Sequence, residues 1–194
     1  YGPTFTADLL GSISKLGIST LSRRGFSIGL RDVDLAPKAM DEIQVVIKEA
    51  EVRAHELIDE FYAGKMEPLP GRSLQETVEL RILEALNKAR NKSGDIAMRQ
   101  ARESAALVMA RSGSRGNALY IAQMTAVVGQ QSMRGKRISN GYKKRTLSYF
   151  KKNDLSPNAR GFIKNNFKSG LAPYEFFFGA MTGRDALMDT ALRT

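Results

Sequence analysis

The chain of 194 residues contains no cysteine, no tryptophan and one histidine. Without cysteine it has no disulfide framework, no thiolate metal site and no cysteine nucleophile, and the composition fits a reducing compartment. His55 has no second histidine with which to share a metal, and it lies in the middle of an acidic helix, so it reads as a surface or interface residue. No run of 18 apolar residues occurs, so no membrane span is expected. The start, Tyr1-Gly2-Pro3, lacks a Met and lacks a charged stretch followed by an apolar one. The expectation is a piece of a longer polypeptide rather than a signal peptide. No glycine-rich loop ends in Gly-Lys-Ser/Thr, and the segment from Gly25 to Gly29 is too short for a dinucleotide fingerprint.

What is present is positive charge, and it is unevenly placed. Lys and Arg number 30 against 20 Asp and Glu, a formal net charge of +10. Residues 111–168 hold 13 basic side chains and one acid, Asp154, while the first 110 residues hold 15 basic and 16 acidic ones. A concentrated basic segment either meets phosphate or forms a solvated basic face, and composition leaves both open.

The apolar periodicity is helical. Phe5, Leu9, Leu10, Ile13, Leu16 and Leu21 predict a helix over residues 4–24, weakened by Gly11 and Gly17. A short extended piece follows at 25–30, then a loop to Pro37. Pro37 opens a second helix reaching about Ala63, with Met40, Ile43, Val46, Ile47, Ala50, Leu57, Ile58 and Phe61 on one face. Gly64, Pro68 and Pro70 end it. Ser73-Leu74-Gln75-Glu76 is a capping-box pattern that starts a third helix carrying Val78, Ile82, Leu86 and Ala89. The two long helices predict an antiparallel hairpin. Short helices are expected at 104–111 and 117–128, loop with short strands at 129–153, a short helix from Pro157 to near Gly170, and a final helix from Pro173.

Few residues carry chemistry. Gly113-Ser114-Arg115-Gly116 could form an anion nest or a plain helix–helix turn, and local sequence does not separate the two. Asp185 and Asp189 lie one helical turn apart, but Arg184 and Arg193 are close, so ion pairing is expected rather than a metal. Phe176-Phe177-Phe178 point around most of a helix, which predicts a helix enclosed on several sides. No catalytic set and no metal site is expected within these residues.

One long stretch changes the argument. Gln123-Met124-Thr125-Ala126-Val127-Val128-Gly129-Gln130-Gln131 resembles the largest subunit of cellular multisubunit RNA polymerases. So do Gly135-Lys136-Arg137-Ile138, Gly141-Tyr142, Arg145-Thr146-Leu147 and Gly161-Phe162. Gly170-Leu171-Ala172-Pro173-Tyr174-Glu175-Phe176-Phe177-Phe178 and Gly183-Arg184-Asp185-Ala186-Leu187-Met188-Asp189-Thr190-Ala191 continue the match. Gly25-Phe26-Ser27-Ile28-Gly29-Leu30-Arg31-Asp32, Leu86-Asn87-Lys88-Ala89-Arg90 and Gly113-Ser114-Arg115-Gly116 have looser counterparts, so the resemblance covers essentially the whole chain.

The resemblance implies a mainly α fold: a long antiparallel helical hairpin, a smaller helix and loop module with short strands, and a C-terminal helix. It implies the end of the pore region at 1–35, the helical funnel at 36–112, a basic connecting module at 113–172, and the first half of the bridge helix at 173–194. By this likeness Arg115, Lys136 and Arg137 face the secondary channel or phosphate. Gln130, Gln131, Ser132 and Gly179 line the cleft beside the bridge helix, where a mushroom toxin binds the eukaryotic type II enzyme. Ala191 and Thr194 lie near the template. Magnesium would belong to the whole enzyme and be bound outside these residues. The implied partners are the other subunits, especially the second-largest, with DNA template, RNA, nucleoside triphosphates and a transcript-cleavage factor, and no membrane. The location would be cytoplasmic for an archaeal protein and nuclear for a eukaryotic one.

The chain departs from the family's usual wording. Gly179 stands where a His is usual, and Thr182 and Asp185 also differ. Ser148-Tyr149 replaces Pro-His, and Asn165-Asn166-Phe167 replaces an Asn-Ser-aromatic triplet. These differences argue against toxin binding, and the wording leans archaeal. The rival reading is a stand-alone basic helical module that binds nucleic acid with steep salt dependence. An independent nucleotidyl enzyme lacks the carboxylate cluster its metals would need.

Overall fold

The computed structural model describes every residue except Tyr1, Ser114, Asn140, Arg193 and Thr194. Helix α1 spans Pro3–Arg24, α2 Pro37–Tyr62 and α3 Leu74–Gln100; the shorter α4 and α5 span Ala105–Ser112 and Ala118–Thr125, and α6 spans Pro173–Leu192. Among the described residues there are four two-residue strands: β1 Gly129–Gln130, β2 Ser132–Met133, β3 Lys136–Arg137 and β4 Phe162–Ile163. The fold is mainly α, as expected.

The predicted stripe on α2 is the one it buries. Ile43, Val46, Ile47, Ala50, Leu57 and Ile58 meet Val78, Ile82, Leu86 and Ala89 of α3 in one core. Alanines and β-branched residues at three- and four-residue spacing let the two helices lie close. Helix α3 runs unbroken through Gly94, where it crosses α5: a Cβ there would stand 3.3 Å from the Ala122 Cβ.

The start of α3 is the predicted capping box. The Glu76 amide donates to Ser73 Oγ at 3.2 Å, and the Ser73 amide donates to Glu76 Oε2 at 3.1 Å. That backbone hydrogen bond, with one from the Ser73 hydroxyl, holds the Glu76 carboxyl below its ordinary 4.5. A carboxyl lowered on folding adds stability above its unfolded pKa and loses it as pH falls through the folded value. The urea midpoint is therefore expected to fall as pH drops from neutral to below 4.5, and Glu76→Gln to flatten part of that fall.

Three expectations are corrected. The segment after Pro157 is not a helix to Gly170. It makes a 3-10 turn at Asn158–Arg160, stops at Gly161 (φ +92°), and enters β4, which pairs antiparallel with β1 in the register Gly129↔Ile163 and Gln130↔Phe162. Pro157 opens one helical turn, and the glycine in the left-handed region then releases the chain to a distant strand. Residues 30–33, expected as the end of an extended piece and the start of a loop, form another short 3-10 turn, with Asp32 accepting from the Gly29 amide at 2.8 Å. On α6 only Phe178 of the three aromatics is buried; Phe176 and Phe177 are 67% and 46% exposed. Helix α1 buries none of its residues.

Candidate functional site

Gln130, Gln131, Ser132, Lys136 and Arg137 lie where the strands meet α3 and α6. Gln130 on β1 is buried, and its side-chain amide donates to the carbonyls of Gln131 and Arg160, both at 2.7 Å. The Gln131 amide donates to the Gly161 carbonyl at 2.8 Å. Both glutamines thus fasten β1 to the turn before β4. Ser132 is exposed on β2, which packs beside α6, and Arg134 reaches across to Asp185 of α6 at 3.4 Å. Asp185 is therefore ion-paired as expected, but with Arg134 rather than with a neighbour on its own helix. Gly179, half-buried on α6, faces open space: nothing lies within 4 Å of a Cβ built there.

Strands β2 and β3 form a hairpin with Ser132 opposite Arg137 and Met133 opposite Lys136. Its turn residues Arg134 and Gly135 both have positive φ, 52° and 74°. Successive strand residues point to opposite faces, so Lys136 is exposed and Arg137 is buried. Of the two adjacent cations, Arg137 is the one turned inward. Its side chain is 0% exposed: Nε donates to Glu79 Oε2 at 2.7 Å and Nη2 to the Leu155 carbonyl at 2.7 Å. Burial lowers its pKa from the ordinary guanidinium value, the Glu79 hydrogen bond opposes that, and the guanidinium stays charged at neutral pH.

Between this hairpin and the first half of α3 lies a cleft of about 460 Å³, lined by Arg72, Glu76, Glu79, Lys136, Arg137 and Arg160 among others. Four cations against two carboxylates give it a positive balance. Glu79 and Arg160 were not singled out in the sequence. The alternation in Gly135-Lys136-Arg137-Ile138 was the available signal that one of two adjacent cations would turn inward and need an anion.

Arg115 is exposed in the turn between α4 and α5, where Gly113 and Gly116 are left-handed (φ 70° and 76°). The Asn117 side chain takes the Tyr120 amide at 3.1 Å and caps α5. The structure does not bring Arg115 together with Lys136 in the cleft. Ser114 of the supposed nest lies outside the described residues. Ala191 is exposed near the end of α6, and Thr194 lies outside the described residues. Among the described residues no three His, Asp or Glu side chains converge to hold a metal, and no helix is long and apolar enough to cross a membrane.

Comparison with known proteins now identifies the class. The family described as RNA polymerase Rpb1, domain 4, matches residues 58–163, more than half of the chain. The chain belongs to the family of RNA polymerase largest subunits, and its type is archaeal. It is 45% identical over its whole length to the "DNA-directed RNA polymerase subunit Rpo1N" of Thermococcus celer and to that of Methanothermobacter thermautotrophicus, covering 22% of each. It is 44% identical to the protein of the same name from Halococcus morrhuae, covering 56% of it. The chain thus spans about a fifth of the first two relatives and just over half of the third.

Proposed function

We propose that this chain serves transcription as part of a DNA-directed RNA polymerase, forming the funnel of the secondary channel and bracing the start of the bridge helix. In this reading α2 and α3 are the funnel hairpin, residues 113–172 the connecting module, and α6 the first half of the bridge helix. The observation that supports it most is the full-length match to Rpo1N relatives. The geometry is compatible with it: the module carrying Gln130, Ser132 and Arg134 lies against both the hairpin and α6.

The role assigned to these residues is guidance and support. Nucleoside triphosphates would pass the exposed cations, Arg115 and Lys136 among them, and a transcript-cleavage factor would dock at the rim. The second-largest subunit, DNA template and RNA are the further partners. Magnesium would be held by other parts of the subunit, and no chemical step is assigned to this chain. For an archaeal protein the location would be the cytoplasm.

The test is Arg115→Glu in the assembled polymerase. The expected result is a fall of about tenfold in factor-stimulated cleavage or in kcat/KM for nucleotides, equivalent to about 1.4 kcal/mol. Unchanged kinetics of both would remove Arg115 from the channel. Steep salt-dependent nucleic-acid binding without any polymerase subunit would favour the stand-alone module instead.

A further inference from the structure

Residues 141–153 hold five cations and no acid. They fold around a tight turn: the Tyr142 amide donates to the Arg145 carbonyl at 2.6 Å, and the Arg145 amide returns to the Tyr142 carbonyl at 3.1 Å. The two central residues are Lys143 (φ 42°) and Lys144 (φ 66°). Positive φ at both positions is the pattern of a type I′ turn, which favours Asn-Gly because a Cβ carries a steric cost there. The turn at Arg134 and Gly135 meets this demand with glycine at its second position. The turn at 142–145 does not. Its two lysines are exposed and add nothing to the core. A strained backbone that displays charge without packing is a lead to function.

The neighbouring chain completes the surface. The Asn153 amide donates to the Lys144 carbonyl at 2.8 Å, which brings Lys151 and Lys152 back beside the turn. Among the described residues, none of these four lysines is in an ion pair. Two rings are set among them. Tyr142 is 56% exposed, with Lys143 Nζ and Arg145 Cζ at 6.0 and 5.9 Å from its centroid. Tyr149 is 79% exposed yet held in place: it lies nearly parallel to Tyr174 (9°, 6.1 Å) and edge-on to Phe150 (84°, 5.2 Å). Phe150 in turn stacks on buried Phe178.

We propose that Lys143, Lys144, Lys151, Lys152 and Tyr149 form a binding surface for single-stranded nucleic acid, with the lysines at phosphates and Tyr149 stacked on a base. A basic track with a fixed exposed ring is the footprint of sequence-tolerant single-strand binding. An acidic protein segment would use the lysines and leave the anchored ring idle. The proposal deepens the transcription reading and rests on it for the source of the strand.

The experiment uses polymerase assembled on the full-length subunit and oligonucleotides of about 12 nucleotides, within the span of known single-strand sites. One arm carries 5-iodouridine in RNA and the other 5-iododeoxyuridine in DNA. After irradiation, mass spectrometry is expected to find an adduct on Tyr149, lost in Tyr149→Leu; the arm that reacts names the strand. The double variant Lys143→Asn with Lys144→Gly keeps the turn with its preferred residues. In it the log–log salt slope of adduct yield should become shallower by about 1.4, at about 0.7 per phosphate contact on a single strand. The absence of an adduct in residues 141–153 overturns the proposal. So does a double variant with unchanged yield and slope. Carbodiimide coupling of these lysines to carboxylates of another subunit overturns it too, in favour of an acidic protein surface. RNA synthesis by the same preparation, measured in parallel, keeps failure of this surface separate from failure of the transcription reading.

Discussion

Glu79→Ala is expected to lower folding stability by about 3–5 kcal/mol, the range for breaking a buried charge pair by removing one partner. The Arg137 side chain is fully buried and Glu79 is its only carboxylate partner among the described residues. Truncation leaves a guanidinium without its anion in the wall of the cleft, where Nε has no other acceptor among the described residues. The Leu155 carbonyl, at 2.7 Å from Nη2, offers only a dipole. In urea the midpoint should drop at constant m, because the same surface is exposed on unfolding.

The companion variant separates charge from packing. Arg137→Met removes the buried cation and leaves Glu79, whose side chain is 26% exposed, able to recover water. Its cost should be well below that of Glu79→Ala, because replacing a buried ion with an apolar side chain of similar size is often close to neutral. A loss under about 1 kcal/mol for Glu79→Ala would mean that the pair behaves as a surface ion pair. The pair has a positional consequence as well. It joins α3 to β3 across 58 residues of sequence, and so sets where Lys136 and Gln130 stand beside the hairpin.

What could be read from the sequence was what depends on near neighbours. The α2–α3 hairpin follows from apolar spacing, from Pro37 at a helix start, and from the Ser73–Glu76 box, all of which act within one or two turns. What could not be read depends on distant partners. Phe162 and Ile163 look like any apolar pair until Gly129 and Gln130 are available to pair with them. Pro157 opens a helical turn that Gly161 ends four residues later, a competition that local propensity does not resolve. Arg137 reads as one more surface cation because Glu79 lies far away in sequence. Phe176 and Phe177 show the opposite limit. Their apolar character predicts enclosure, and within these residues nothing encloses them. The family resemblance lies in collinear motifs rather than in any site, and the short strands expected at 129–153 gained their partners and register only in the fold.

The second large effect concerns α6. Glu175 is fully buried at the beginning of this helix. Its Oε2 accepts from the Asn165 side-chain amide at 2.7 Å and from the Ala172 amide at 2.8 Å, and its Oε1 accepts from the Lys164 amide at 3.1 Å. One carboxylate therefore ties the segment after β4 to the first turn of α6, where negative charge also suits the helix dipole. Glu175→Ala would leave those three donors without their acceptor, and is expected to cost about 2–4 kcal/mol. The loss should be local. Amide exchange should accelerate through α6 while the protection of α2 and α3 stays as it was, because the hairpin core shares no side chain with this cluster. Glu175→Gln keeps one acceptor oxygen but turns an NH2 toward a donor, so its effect should fall between wild type and alanine. Unaltered exchange in α6 of the alanine variant would leave Phe178, buried against Phe150, as the contact that holds the helix. Accelerated exchange makes Glu175 the residue that seats α6 on the module carrying Gln130 and Ser132, and any role of this chain in bracing that helix then runs through a fully buried side chain.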